Sequence, residues 1–287
     1  MEETTLNRLH TTLIEILDEI DRICKKHNIT YFLVGGTMLG AVRHGGFIPW
    51  DDDLDIGMTR NAYEKFIKIC SSEFSEKYYI TTPNARNYHL QFAKVQMKNT
   101  LFIDNRQYKR FIKDNVQQGI FVDIFPYDNV INKSLLPFRK KMIWFLSVLI
   151  SIKLHITFEN KMINSLMHFP MKLISFLFSL NYLKKLREHL CKMDNTKKSE
   201  NIVIFGSPYS IKRSIYEKQE ILPTSNVLFE GKLYPGLKNV DYYLNITYGE
   251  DYMELPPLGE RITHNPAVLC FDTVHEKPIY LQATIER

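Results

Sequence analysis

From Leu6 to Ile23 the apolar residues Leu6, Leu9, Leu13, Ile16, Leu17, Ile20 and Ile23 return at intervals of three and four, the spacing that gathers one face of a helix. The stripe predicts an amphipathic helix laid over a sheet, with His10 and His27 on the solvent side. Tyr31–Val34 then reads as a short buried strand, Thr37–Arg43 as a short helix, Asp53–Met58 as a second strand, and Asn61–Cys70 as a helix that turns Tyr63, Phe66, Ile67 and Cys70 inward. Between Tyr78 and Asp104 the period falls to two, which predicts antiparallel strands with a turn at Lys98-Asn99. Further on, Phe121–Phe125, Ile202–Phe205 and Phe229–Tyr234 read as strands, and Tyr242–Gly249 as a short helix that Gly249 ends. Strands and helices mixed in this way predict an α+β fold, a mixed and largely antiparallel sheet flanked by helices.

Residues 131–200 have a different texture. Arg139, Lys140 and Lys141 precede a mostly apolar run to Ile150, and Phe169–Leu180 is a second apolar stretch carrying Lys172. Neither reaches the roughly 18 uninterrupted apolar residues that span a bilayer, so both are expected to be helices of an inserted subdomain. The polar stretch Lys192–Asn201 links it back. The expected organisation is a core in residues 1–130, a helical insert in 131–200, and a C-terminal part, 201–287, that completes the core.

The 287 residues, 45% of them hydrophobic, suffice for such a core and argue against disorder. A net charge of +5 suits an anionic ligand or a membrane surface and is too small to point to nucleic acid. Cys24, Cys70, Cys191 and Cys270 are scattered, which excludes a zinc motif and points to reduced thiols. No basic and then apolar leader opens the chain, so a cytoplasmic protein is expected, peripheral to the inner face of the membrane if the insert touches it.

The chemistry concentrates in Phe32–Gly57. Asp51, Asp52, Asp53 and Asp55 fall within five residues. On a strand, Asp53 and Asp55 project from one face while Leu54 and Ile56 anchor the other. Two carboxylates so placed repel unless a cation sits between them, and hard oxygen ligands suit magnesium, or manganese, with substrate phosphates completing the shell. A calcium loop counted from Asp51 would need Gly and Glu where Ile56 and Ala62 stand, so that reading fails; a solvated acidic loop is the plain alternative. Gly35-Gly36, at the entry to a helix, is either a simple turn or a presentation of bare N–H groups to a phosphate.

The whole run from Gly35 through Asp51-Asp52-Asp53-Leu54-Asp55 to Gly57 resembles the signature of the LicD family, bacterial phosphocholine transferases related to the animal fukutin proteins. The resemblance implies a nucleotidyltransferase-type sheet: a Gly-Gly helix entry, Asp-x-Asp on the next strand and a third carboxylate on a later one. Tyr248–Pro257 is similar to the family's C-terminal signature, followed by His264; together the similar parts cover about residues 1–130 and 226–265. Asp123 lies among Phe121, Val122, Ile124 and Phe125, where a charge must be neutralised or coordinated. It is either the third carboxylate or half of a structural salt bridge. Asp128, past Pro126, is expected to cap a turn. Lys94, in an apolar strand, either snorkels to the edge or points into the acidic site to meet a phosphate.

The resemblance implies Mg²⁺ held by Asp53, Asp55 and Asp123, with Asp55 or Asp123 taking the acceptor hydroxyl's proton. Gly35, Gly36, Thr37, Arg43, His44, Lys94, Trp50 and Tyr248 form the substrate and nucleotide set, with Asp51, Asp52 and His264 of second rank. A choline group needs an aromatic face, for which Trp50, Tyr88, Tyr127 and Tyr248 are available. The implied reaction is transfer of phosphocholine from CDP-choline to a hydroxyl of a cell-surface glycan, such as lipopolysaccharide or teichoic acid, with release of CMP. Other CDP-activated phospho-alditols or phosphoethanolamine, nucleotidyl transfer at the α-phosphate, and a silent scaffold are the alternatives. A lipid-linked acceptor would bring the insert to the membrane, through Arg139, Lys140, Lys141, Lys153, Lys184, Lys185 and Arg187; a helical hairpin packed on the core is the plainer reading.

Overall fold

The computed structural model describes residues 1–114, 118–156, 168–261, 263 and 266–281. The amphipathic stripe forms α1 (Glu3–His27), which buries Leu9, Leu13, Ile16, Leu17, Ile20 and Ile23 and ends at Asn28 in the left-handed conformation. There follow β1 (Phe32–Leu33), α2 (Gly35–His44), β2 (Asp55–Thr59), α3 (Arg60–Glu73), β3 (Tyr78–Thr81), β4 (Ala93–Met97), β5 (Leu101–Ile103), α4 (Tyr108–Asp114) and β6 (Phe121–Val130). The main sheet runs β1-β2-β6-β4-β3. Its β2–β6 pair is parallel and the other pairs are antiparallel. The far end of β6 pairs with β7 (Asn201–Val203), which pairs in turn with β8 (Ile215–Glu217). The α+β class expected from the sequence is the one observed.

Register makes the two faces of this sheet unlike. Ile56 and Met58 of β2, Ala93 and Val95 of β4, and Val122 and Ile124 of β6 alternate onto one face and are all fully buried in the core cluster that contains α1. Asp55, Lys94 and Asp123 occupy the alternate positions and so share the opposite face.

Strand pairing departs from expectation at β4 and β5. They do not fold back on each other: β5 pairs with β11 (Val268–Cys270), which pairs with β12 (Ile279–Tyr280). The Thr100 hydroxyl explains it, donating to the Met97 carbonyl at 2.8 Å and accepting from the Ile120 N–H at 2.9 Å. The chain leaving β4 is thereby tied to the start of β6. Residues 229–234, read as one strand, are instead a hairpin of β9 (Ser225–Phe229) and β10 (Lys232–Gly236), in which Lys232 pairs directly with Phe229. Glu230 and Gly231 both have positive φ, 50° and 74°, as the preferred two-residue turn requires.

The helices α5 (Leu136–Lys153), α6 (His168–Phe176) and α7 (Leu180–Lys192) form a layer with its own apolar cluster around Leu146, Leu149, Ile150 and Leu183. Among the described residues, no helix is long and apolar enough to cross a membrane. Much of the expected basic surface is consumed inside. Arg139 is buried and binds Asp194 at 2.7 Å and the Leu190 and Cys191 carbonyls at the end of α7. Lys140 donates to the Tyr209 carbonyl. Buried Lys184 and Arg187 donate to carbonyls of Ala85, His89 and Leu90, in the loop that leads into β4. These cations satisfy carbonyls at a helix end and in a loop that have no ladder partners; helical spacing alone does not reveal that. Of the seven, Lys141 and Lys185 are exposed and Lys153 is half-buried.

Two buried charges brace the sheet's apolar side. Asp128 caps no turn: it lies within β6, 1% exposed, and accepts from Nε and Nη2 of Arg60 on α3 at 2.7 and 2.8 Å, with Asn195 adding a third bond at 2.6 Å. Burial works against the Arg60 charge, but the pull of Asp128 outweighs it and the guanidinium's pKa is raised. Replacing Arg60 with Met should therefore cost about 3–5 kcal/mol in urea unfolding, because Asp128 is left buried and uncompensated. Adding Asp128→Leu should restore most of that loss. A second prediction concerns acid. Burial pushes the His89 imidazole from 6.5 down to about 3, with Arg106 and Arg187 adding to the shift. The unfolded chain then binds a proton that the folded chain refuses, so stability should be complete above pH 6.5 and fall as the pH drops toward 3. His89→Phe should flatten that part of a thermal-melt pH series.

Candidate active site

Cross-strand register assembles the site. Asp55 lies opposite Asp123, and Asp123 opposite Lys94, so the three side chains stand side by side in one row across β2, β6 and β4. The Lys94 ammonium binds the two Asp123 oxygens at 2.7 and 3.0 Å and rests 3.1 Å above the centre of the Phe121 ring. Burial lowers the lysine's pKa, while Asp123, Asp55 and Asp53 pull it back up. Lys94 thus points into the acidic site and not to the sheet's edge.

The glycine pair closes the other side of the row. Gly35 opens α2 with φ +59°, and a Cβ there would lie 2.8 Å from Asp55 Oδ2. A Cβ on Gly36 would lie 2.6 Å from Asp51 Oδ2. Both carboxylates therefore press against the positive end of the helix, where negative charge is favoured, and only glycine leaves them room. The Thr37 hydroxyl accepts from the Asp55 N–H at 2.8 Å, and Val34 N–H donates to the Asp55 carbonyl at 3.2 Å. Thr37 so fixes the strand to the helix entry. Gly35 N–H is taken by the Tyr243 hydroxyl at 2.9 Å.

The acidic loop divides. Asp53 lies just before β2 and not within it, although the parallel ladder already begins at Leu54, whose carbonyl accepts the Asp123 N–H at 2.9 Å. Asp52 is 2% exposed and lines a cleft of about 990 Å³ against α1, beside His10, Phe47, Trp50 and Glu230; none of the carboxylate row lines it. His10 is half-buried at this cleft: it stacks on Phe47 at 3.9 Å and bonds the Asp51 carbonyl at 2.8 Å.

Arg43 donates to the carbonyls of Tyr252 and Glu254, at 3.0 and 2.9 Å, so its guanidinium ties down the C-terminal segment. His44 meets Trp50 edge-on at 6.2 Å, and burial with the nearby Arg43 charge keeps its pKa low. Arg261 lies 4.1 Å over the Trp50 ring. Tyr88 and Tyr127 are buried, at 6% and 1% exposure. Tyr248 is half-buried, close enough to Asp55 to feel its charge, and packs edge-on against Tyr209 at 5.8 Å. His264 lies outside the described residues.

Three contributors have no motif to announce them. Tyr209 stands close enough to Asp55 and Asp51 to feel their charge, with Arg213 over its ring at 4.8 Å. Tyr243 sits on α9 (Val240–Tyr248), which follows the short α8 (Lys218–Ile221) and the β9–β10 hairpin. Glu230, at the hairpin tip, accepts from Phe47 N–H at 2.9 Å and donates its own N–H to the Gly45 carbonyl at 3.0 Å, fixing the loop between α2 and the acidic run. The positive φ demanded at Glu230-Gly231 was the one local signal for the hairpin.

Comparisons with known proteins give the family. The family described as LicD/FKTN/FKRP, nucleotidyltransferase domain, matches residues 28–177. The chain belongs to this family, and the match runs past residue 130 into the helical layer that showed no recognisable motif. Among relatives, it is 30% identical over 284 residues to the lipopolysaccharide cholinephosphotransferase LicD of Haemophilus influenzae, covering 92% of this chain and 97% of that protein. It is 31% identical over 132 residues to the uncharacterised protein RP689 of Rickettsia prowazekii, 45% of this chain and 46% of that one. A 30-residue stretch is 57% identical to the human ribitol 5-phosphate transferase FKRP, 10% of this chain and 6% of that protein. The chain is accordingly an enzyme of the phosphotransferase class.

The geometry makes one structural demand testable. Gly35→Ala places a methyl group at φ +59° against the Asp55 carboxylate, so it should cost about 1–2 kcal/mol in urea unfolding while displacing Asp55 in a crystal structure. An unmoved Asp55 would show that the close approach is dispensable.

Proposed function

We propose that this protein transfers phosphocholine from CDP-choline to a hydroxyl of a cell-surface glycan, such as lipopolysaccharide or teichoic acid, releasing CMP. The observation that carries the reading is the Asp55–Asp123–Lys94 row set against the start of α2, in a chain that aligns along most of its length with a cholinephosphotransferase. A helix start and a lysine beside it suit the phosphates of a nucleotide donor.

Among the described residues no three acidic, histidine or cysteine side chains are gathered tightly enough to cage a metal ion. The oxygen donors nonetheless fit Mg²⁺, which binds through one or two carboxylates, waters and substrate phosphates and does without a full protein cage. Asp53 and Asp55 would hold it, with Asp123 sharing its charge with Lys94. The ion would supply neutralisation of the diphosphate's charge. The chain's own residues do the rest. The positive end of α2 orients the phosphates. Lys94 balances charge that builds on the transferred group. Asp55 or Asp123 takes the acceptor's proton. Tyr209 and Tyr248, packed edge-on within reach of the Asp55 charge, and Trp50 offer faces to a quaternary ammonium; buried Tyr127 does not. The acceptor glycan is taken to be lipid-linked, at the inner face of the membrane.

A screen of CDP-activated donors with Mg²⁺, reading both CMP and labelled glycan, tests this. Turnover should be best with CDP-choline, and Asp55→Asn should lower it at least about a hundredfold with the melting temperature unchanged. Tyr209→Ala with Tyr248→Ala should raise KM for CDP-choline about tenfold and leave KM for CDP-ribitol unmoved. Full activity in Asp55→Asn would sink the assignment, and a cytidylylated product in place of CMP would move the attack to the α-phosphate.

A further inference from the structure

The corner where α6 meets α7 leaves large apolar side chains in water. Phe176 is 85% exposed, Leu177 73% and Leu173 64%, and Phe178 and Tyr182 beside them stack on each other at 5.6 Å. This corner is built: only residues 177–179 separate the helices, and the Ser179 hydroxyl caps α7 by accepting the Tyr182 N–H at 3.2 Å. On α6, Met171 and Ser175 are buried, while Lys172 and Leu173 are exposed, at the spacing that places both beside Phe176. On α7, Leu183, Lys184 and Arg187 are buried, and Tyr182 and Lys185 are exposed. From His168 to Arg187 the chain carries no Asp or Glu.

We infer that this corner is a membrane-docking tip, with Leu173, Phe176 and Leu177 entering the interface of an anionic bilayer and Lys172 and Lys185 meeting its headgroups. Apolar side chains fringed by cations match a surface that is hydrocarbon below and negative above. A symmetric contact with a second copy would set those lysines against their own counterparts with no acid to balance them. The contact is interfacial, since no described helix can cross the membrane. It also has a direction. From Ser179 to Arg187 the α7 axis rises about 12 Å, and Arg187 holds the His89 and Leu90 carbonyls just before the strand that bears Lys94. Docking at the corner would tether to the bilayer the sheet that bears the carboxylate row. In this it deepens the proposed function by holding the enzyme at the surface where a lipid-linked acceptor lies, and it rests on that reading only there.

Sedimentation of the full chain with phosphatidylglycerol–phosphatidylcholine vesicles, without donor or acceptor, tests docking separately from the reaction. The protein should pellet with these vesicles, not with pure phosphatidylcholine, and high salt should weaken the association. Phe176→Glu with Leu177→Glu should lower partitioning about tenfold or more, and Lys172→Glu with Lys185→Glu should do likewise, both with circular dichroism and melting temperature unchanged. Equal binding by wild type and both variants, or binding indifferent to lipid charge, overturns the proposal. So does a vesicle-free dimer in sedimentation velocity that Phe176→Glu dissociates, which would give the corner to a second copy. Loss of vesicle binding with transfer to a delipidated acceptor intact would confirm docking as a function apart from the chemistry.

Discussion

Everything in this structure answers to one buried ion pair, Lys94 with Asp123. A carboxylate in the middle of an apolar strand is tolerable only if its charge is met at close range, and the partner must come from the neighbouring strand at the same height. That requirement fixes the register of β4 on β6. Because β2 pairs with β6 at the same residue, the register that satisfies Asp123 also brings Asp55 beside it. A slip of one residue on any of the three strands would send a charge into the apolar face, so the fold is held to the alignment its chemistry uses.

The same strand repeats the device at its other end and on its other face, where Asp128 meets Arg60. Strand β6 is therefore charged on both sides, with apolar residues between. One pair faces a site and the other fastens α3 to the sheet. The difference lies in surroundings: Arg60 donates from Nε and Nη2 to Asp128 in a closed contact with Asn195, whereas Lys94 also senses Asp55 and Asp53.

How much of this was legible beforehand follows from where the information sits. The α1 stripe, the alternation in β4 and Asp-x-Asp beside Gly-Gly are local patterns, and each fell where the sequence placed it, apart from Asp53, which stops short of the strand. The family could be read from Gly35–Gly57 alone. Contacts between distant segments could not. Asp128 looked like a turn cap because its partner is 68 residues away. The basic residues of the insert could be read as a surface because nothing in helical spacing reveals that Arg139, Lys184 and Arg187 turn inward to backbone carbonyls. Tyr209, Tyr243 and Glu230 belong to no pattern; each matters only through what it meets across the fold.

Two of those late residues also set an order in time. Phe47 N–H waits for Glu230, and Gly35 N–H waits for Tyr243, which lies 208 positions further on. During synthesis the strands that carry Asp55, Lys94 and Asp123 emerge long before the hairpin and α9 that seat the glycine entry. A chain still on the ribosome can own every acidic residue of its site and yet lack the fastening that aims them. The glycine entry is thus seated only once the last third of the chain has folded.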